Sequence, residues 1–370
     1  MSTPKRLWNF SDLLHRDRAE RRSKMKHGQG LDVSELARAR EFATALLRGW
    51  DIHKRDLPWR RSRDPYTVWV SEIMLQQTQA QTAIPYFERW MEHFPTVQSL
   101  AAADEQEALA YWQGLGYYRR CKMLLSGARE VVSNGMPANA AEWLKVPGVG
   151  RYTAGAIASI CLGEAVPLVD GNVERVFARL TGNESVGRSL TRAAWFWAER
   201  SLNRTRPGDH NEALMDLGAT VCKPQDPLCQ SCPLRHACLA NLTNSQERFP
   251  APRTRRNVVQ LSQTVSVPYC NGRFGVRQIP EGQWWEGMWE FRRLPAAGGV
   301  PQGVLIGTLK HVVTHHRVRL GVFLDRASAQ DPALRWLTAE ELKALPMPTP
   351  QRKALSLAVK ALDEPTLFDS

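Results

Sequence analysis

Two sets of residues in this chain have the types and spacing to do chemistry. The first is Cys222-x6-Cys229-x2-Cys232-x5-Cys238. Four thiols at this density can ligate a four-coordinate zinc or an iron–sulfur cluster, and the spacing alone leaves both open. Cysteines clustered this way argue for a metal site rather than a disulfide framework. The remaining Cys121, Cys161 and Cys270 read as ordinary buried thiols. The second set is a pair of carboxyls. Glu72 stands in the helical run YTVWVSEIMLQQTQ, flanked by Trp69, Val70, Ile73 and Met74. A lone helical Glu is usually solvated, but these apolar neighbours favour a desolvated carboxyl with a raised pKa, as a general acid near neutral pH requires. Asp170 precedes an amphipathic run with Val173, Val176, Phe177 and Leu180 on one face, so it reads as an N-cap and as a carboxylate held in place.

These residues need elements to position them. Pro147-Gly148-Val149-Gly150 is a tight turn between two apolar helical segments, its φ preset by Pro147 and its unusual backbone angles assigned to both glycines. Amides after Gly148 then start the next helix, whose N-terminus suits a phosphate. The small Thr153, Ala154, Gly155 and Ala156 let that helix pack close to the preceding one. From Leu31 to Ser245 the periodicity is helical, with joints at Pro65, Pro95, Gly114, Pro137, Pro147, Pro167 and Pro207. Residues 246–258 change to a Pro- and Arg-rich linker, and 259–362 combine β-branched alternation with a helical end. The fold class is therefore multidomain: an all-α domain over 31–245 and a smaller α+β domain.

Composition narrows the partners. The chain has 370 residues, 43% of them hydrophobic, and a formal charge of +12, which favours a polyanion. No stretch is long and apolar enough to span a membrane, and no apolar signal core opens the sequence. A cytoplasmic, monomeric protein is expected, nucleoid-associated if bacterial. Residues 1–30 form a basic arm that reads as a phosphate-attracting segment, a solvated tail, or an organellar address weakened by Asp12, Asp17 and Glu20.

The turn, its flanking helices and the downstream Asp170 resemble the helix-hairpin-helix (144–162) of the endonuclease III superfamily of DNA glycosylases, and the segment around Glu72 resembles the adenine glycosylases of the MutY type. The resemblance implies one [4Fe–4S] cluster on the loop 222–238. It makes Glu72 the acid that protonates adenine N7 and Asp170 the electrostatic or covalent partner of the sugar cation, with Asn172 orienting sugar and nucleophile. Tyr152 stands where lyase-competent relatives carry lysine; it cannot form an imine, so base removal without strand cleavage is expected, with its hydroxyl on Glu72 or the nucleophile. By the same resemblance Arg60 and Glu212 contact the adenine edge, Gln77 and Tyr117 fill the gap left by an extruded base, and Gly148 and Gly150 meet the backbone.

The C-terminal domain resembles the Nudix-related domain with which such enzymes sense 8-oxoguanine. Clustered Nudix glutamates are absent, so pyrophosphate hydrolysis is not expected. The lesion-reading segment is Val313-Thr314-His315, where relatives show Phe-Ser-His, so an aromatic is missing at 313. The implied partner is duplex DNA with adenine opposite 8-oxoguanine or guanine. The tail 363–370 carries Leu367-Phe368, similar to tails that dock on bacterial sliding clamps. Two rivals are a repair scaffold without catalysis, disfavoured by Glu72 and Asp170, and a bifunctional lyase, disfavoured by Tyr152.

Overall fold

The computed structural model describes residues 33–252, 257–294, 303–327 and 330–363, with side chains from residue 40 onward. The basic arm, residues 253–256 of the linker and the Leu367-Phe368 tail lie outside the described residues. In chain order the helices are α1 (Val33–His53), α2 (Pro65–Leu75), α3 (Ala80–His93), α4 (Val97–Ala102), α5 (Glu105–Trp112), α6 (Arg119–Asn134), α7 (Ala140–Trp143), α8 (Arg151–Cys161), α9 (Gly171–Thr181), α10 (Arg188–Ser201), α11 (Pro207–Asp216) and α12 (Leu239–Leu242). There follow β1 (Val259–Cys270), β2 (Arg273–Gln278), β3 (Trp289–Glu290), β4 (Arg293–Leu294), β5 (Val304–Val313), β6 (His316–Arg326) and β7 (Arg335–Leu337), then α13 (Ala339–Ala344) and α14 (Thr349–Asp363). No helix among the described residues is long and apolar enough to cross a membrane.

The elements group into two compact units, one running up to Gln76 and resuming over Ser133–Thr254, the other combining Gln77–Val132 with Arg255 onward. In the first unit α2 packs against α8. Asp64 caps it by accepting a 2.8 Å bond from the Thr67 amide, and Pro65 opens it. Tyr66, Val68, Trp69, Val70, Ile73 and Met74 are all buried, so the helix is apolar on every side and carries Glu72 into the interior with it. Trp69 meets Trp143 of α7 edge-on at 5.3 Å, tying α2 to the entry of the hairpin.

At the turn, only Gly148 needs glycine's freedom, with φ 80°. Gly150 has an ordinary φ of −92° as N-cap of α8, and a Cβ there would meet nothing within 4 Å. The expectation that both glycines adopt angles other residues resist is corrected for Gly150. α8 packs on the preceding α7 as expected, and Gly155 adds a second tight neighbour. A Cβ on Gly155 would lie 2.6 Å from the Pro167 carbonyl oxygen, and one on Gly208 of α11 would lie 2.7 Å from that of Ser159. Backbone therefore packs on backbone where α8 meets α11 and the segment before Asp170. On α9, Val173, Val176, Phe177 and Leu180 are buried as their spacing predicts, each contributing roughly 1.5–3 kcal/mol.

The second unit joins α3–α6 to a seven-stranded sheet of order β3-β2-β1-β6-β5, with β4 on β1 and β7 on β2. β1 and β6 run parallel; the other pairs are antiparallel. Val265, Val267, Phe274, Val276, Leu320, Val322 and Leu324 form its core with Ala354, Leu355 and Ala358 of α14. The helical run expected near the end is two helices, since Pro346 and Pro348 interrupt it. Within this unit Trp289 donates to the Gln106 side chain of α5 at 2.9 Å, and Gln106 donates to the Gly287 carbonyl at 2.9 Å.

Candidate active site and cysteine loop

The predicted carboxyls come together in the first unit. Glu72 is 3% exposed, accepts a hydrogen bond from the Tyr152 hydroxyl, and leaves Oε2 without a partner among the described residues. Burial pushes its pKa up to about 7; the Tyr152 bond opposes this, and the nearby charges of Asp170 and Glu212 add to it. Asp170 is also raised by burial, but its oxygens are well supplied. One accepts the Val173 amide at 2.7 Å as N-cap of α9, and the other accepts Asn172 Nδ2 at 2.9 Å. Two carboxyls thus share a dry site, and hydrogen-bond supply favours ionisation at Asp170 over Glu72. Tyr152 holds its proton well beyond its ordinary range because of burial and both acids, and also reaches Met215 Sδ at 3.8 Å.

Arg60 and Glu212 are paired, with Nε 2.7 Å from Oε1. Asp216, one turn beyond Glu212 on α11, takes two more Arg60 bonds at 2.7 and 3.0 Å and a 2.7 Å bond from Arg55 Nε. Burial pushes Asp216 up, but Arg60 and Arg55 outweigh it and hold its pKa below the ordinary carboxylate range. Sequence reasoning did not single out Asp216 or Arg55; the signal was the i, i+4 acid pair in EALMD, on the face that carries Glu212. His210, on the same helix, is fully buried with neither ring nitrogen hydrogen-bonded among the described residues, and burial lowers its pKa to about 4.

The cysteine loop follows a π-helical segment, Leu217–Val221, and all four cysteines are free thiols. Burial raises Cys232 and Cys238, and each lies within electrostatic reach of the other loop thiols. Among the described residues no three His, Cys, Asp or Glu side chains converge tightly enough to hold a metal ion. The chemistry of the donor set still suits a thiolate-ligated metal group. Two arginines of α9, Arg179 buried and Arg175 half-buried, organise the loop, and sequence reasoning missed both. Arg179 donates to the Lys223, Pro224 and Phe249 carbonyls at 2.6, 2.9 and 3.0 Å, and to Cys222 Sγ at 3.5 Å. Arg175 donates to the Cys222 and Gly218 carbonyls and to Asn172 Oδ1, each at 2.8 Å. Asn172 therefore joins Asp170 to the loop through Arg175. Cys121 and Cys270 are buried as expected, whereas Cys161, the last residue of α8, is half-buried.

Residues 70–198 match the HhH-GPD superfamily of base excision DNA repair proteins, and 264–357 match the NUDIX domain. The adenine DNA glycosylase of Mus musculus is 34% identical over 406 residues, covering 88% of this chain and 79% of that protein. The chain belongs to the adenine DNA glycosylase family. The Homo sapiens member is 47% identical over 234 residues, but the match spans 60% of this chain and only 42% of that relative's length. A thermostable thymine-DNA glycosylase has a similar fold, with TM-score 0.52 at 27% identity, covering 57% of this chain and 100% of that one.

The other residues that the family resemblance singled out lie elsewhere. Gln77 and Tyr117 belong to the second unit, as do Val313, Thr314 and His315. Gln77, Tyr117 and Thr314 all have left-handed backbones, at φ 58°, 48° and 54°, and Tyr117 is 48% exposed. Such angles are uncommon outside glycine and cost of order 1–3 kcal/mol each, so they gather where function overrides stability. Beside the hairpin of this glycosylase-family chain, Arg151, Arg188, Thr191, Arg192, Trp195, Phe196 and Glu199 line an open cavity of about 590 Å³. The Arg151 guanidinium lies over the Trp195 ring at 3.7 Å.

Proposed function

We propose that this chain hydrolyses the N-glycosidic bond of adenine in duplex DNA, opposite 8-oxoguanine or guanine, after the base has left the stack. The observation that carries this reading is the contrast between two neighbouring carboxyls: buried Glu72 is held at about 7 with an oxygen unpartnered among the described residues, and half-buried Asp170 is fixed by two N–H donors. Glu72 donates its proton to adenine N7, and the electron pair of the C1′–N9 bond leaves with the base. Ionised Asp170 stabilises the sugar cation or captures C1′ until water attacks, leaving an abasic site. Asn172 keeps the Asp170 carboxylate in place, and Tyr152 holds Glu72 while offering no amine for an imine. Arg60 and Glu212 present paired polar groups to the base edge.

Gly148 and Gly150 meet a phosphate at the start of α8. Gly150 supplies no side-chain cap, and open space beside it admits the DNA backbone closely. Gln77 and Tyr117 occupy the gap in the duplex, and Thr314 and His315, beside Val313, face the lesion. Cys222, Cys229, Cys232 and Cys238 would hold one [4Fe–4S] cluster, which when bound cross-links the loop that Arg175 and Arg179 already organise. The protein works as a monomer.

Single-turnover excision from duplexes holding A:8-oxoG, A:G and A:T tests this reading, with Glu72→Gln and Asp170→Asn alongside. Fast adenine release opposite 8-oxoG, lost in either variant and needing alkali for strand breakage, is the expected result. Binding without release would leave a scaffold, and borohydride trapping on DNA would reveal a lyase. Iron analysis with an absorption spectrum tests the cluster against zinc.

A further inference from the structure

β5 and β6 meet at a two-residue turn, because Val313 pairs directly with His316. Thr314 takes the first turn position with φ 54°, where hairpins of this length favour Gly, Asn or Asp. Directly opposed residues of an antiparallel pair share a face, so Val313 and His316 lie together, and His311 joins them two residues earlier on β5. Two tryptophans from the segment before β3 stand against this face. The Trp284 ring is 5.1 Å from His316, and the Trp285 ring is 5.9 Å from His311. The His315 ring lies 4.1 Å from that of His316, tilted by 40°.

The stability of the sheet does not explain this cluster. Neither tryptophan belongs to the apolar core of the sheet, and both remain partly exposed. Trp285 holds φ 66°, a rare backbone for a bulky aromatic. Both ring nitrogens of His311 are buried with no hydrogen-bond partner among the described residues, a further cost. Strained backbone, an unsatisfied imidazole and half-exposed indoles at one hairpin describe a surface shaped for a ligand with an aromatic face.

We propose that Trp284 and His316 form an aromatic platform that stacks on the oxidised purine opposite the target adenine. It supplies the aromatic contact that Val313 lacks. This rests on the reading of the hairpin as the lesion-sensing element. Thr314 and His315 present polar groups at the turn that leads into His316, so the hairpin and the Trp284 segment against it together offer stacking and hydrogen bonding to the base. Guanine lacks the oxidised edge whose contacts seat the base on the platform, so it gains little of the stacking, and the platform acts on preference more than on the chemical step.

The test compares single-turnover excision from A:8-oxoG and A:G for the full chain and for Trp284→Ala, Trp284→Phe and His316→Ala. Trp284→Ala is expected to reduce the preference for A:8-oxoG by roughly tenfold, the scale of one lost base–aromatic stack, while the A:G rate stays within about twofold. Trp284→Phe is expected to restore most of the preference. An unchanged preference in Trp284→Ala, or a parallel fall on both substrates, would overturn the platform and leave the lesion-sensing hairpin standing. Equal rates on both substrates in the unaltered chain would overturn hairpin and platform together. If Trp284→Ala does not fold, Trp284→Leu, which keeps apolar bulk without a π face, carries the same expectation.

Discussion

The carboxyl centre of the first unit and the hairpin of the second are both costly to build, but in different ways. Around Glu72 the cost is electrostatic: a carboxyl is carried into the core by an apolar helix and left with one unpartnered oxygen. At Thr314 and Trp285 the cost is conformational: left-handed backbones are held at partly exposed positions. A group that must move a proton needs a shifted pKa, hence burial. A group that must read a base needs access, so its orientation is fixed by the chain rather than by surrounding protein.

The largest test of that contrast is Glu72→Gln, which keeps the shape and removes the proton. Single-turnover excision is expected to fall by roughly 10²–10⁴-fold. In the unaltered chain the rate should decline as pH rises through about 7, as the acid form is lost. Stability should fall in the same direction, over the lower range between the unfolded and folded pKa values. With the folded pKa above the ordinary 4.5, no penalty exists below 4.5, and it grows as pH rises to about 7. At 1.36 kcal/mol per pKa unit, the full penalty is about 3 kcal/mol. Glu72→Gln should therefore stabilise the protein more at pH 8 than at pH 4.5, by up to about 3 kcal/mol in denaturant unfolding. Equal effects at both pH values would mean that Glu72 is not a strained carboxyl. Asp170→Asn should lose excision to a similar degree, yet shift stability by less than about 0.5 kcal/mol, because Asn caps helices as well as Asp does.

Asp216 separates a carboxyl that stabilises from one that works. Its two arginines make it the opposite of Glu72, and Asp216→Ala leaves Arg60 with Glu212 alone. Breaking a buried pair from one side costs about 3–5 kcal/mol, which a fall in the unfolding midpoint would register. The pair's contribution should also fade as pH falls through the depressed pKa of Asp216, since the unfolded chain takes up the proton first. A loss below 1 kcal/mol would show that Arg55 and Arg60 re-pair elsewhere.

Legibility in the sequence follows the same division. Glu72 was readable because its four apolar flanks fix its burial, and the cap at Asp170 because the apolar face of α9 begins just after it. The two-unit grouping of α3–α6 with the sheet was not readable, since periodicity reports a helix's buried face and not its neighbour. Nor were Arg175 and Arg179: on a helical wheel they sit among polar positions, and their partners are carbonyls of the cysteine loop and of the segment after it, far away in sequence. The need for glycine at position 150 was misassigned because composition cannot separate a glycine required by φ from one required by space. Trp284 and Trp285 carried no pattern at all; their partners His316 and His311 are supplied by the register of β5 and β6.

The smallest effect belongs to a surface that shares features of both regions. The cavity beside the helix-hairpin-helix of the first unit has three arginines and an exposed Phe196, charge and π faces together, with Glu199 as the opposing charge in its lining. If DNA phosphates follow this groove from the start of α8, each arginine that neutralises one contributes to counterion release. Arg192→Ala and Arg188→Ala should each lower the slope of log K against log salt by about 1, with duplex affinity reduced alike for lesion and undamaged DNA. Excision at saturating enzyme should stay unchanged, because neither residue reaches the carboxyl centre through any hydrogen bond or ion pair among the described residues. A slope that does not move would confine backbone contact to the Gly148–Gly150 turn. A changed slope with altered lesion preference would mean that the groove also helps to read the base, and the division between burial for chemistry and exposure for reading would need a third, mixed class.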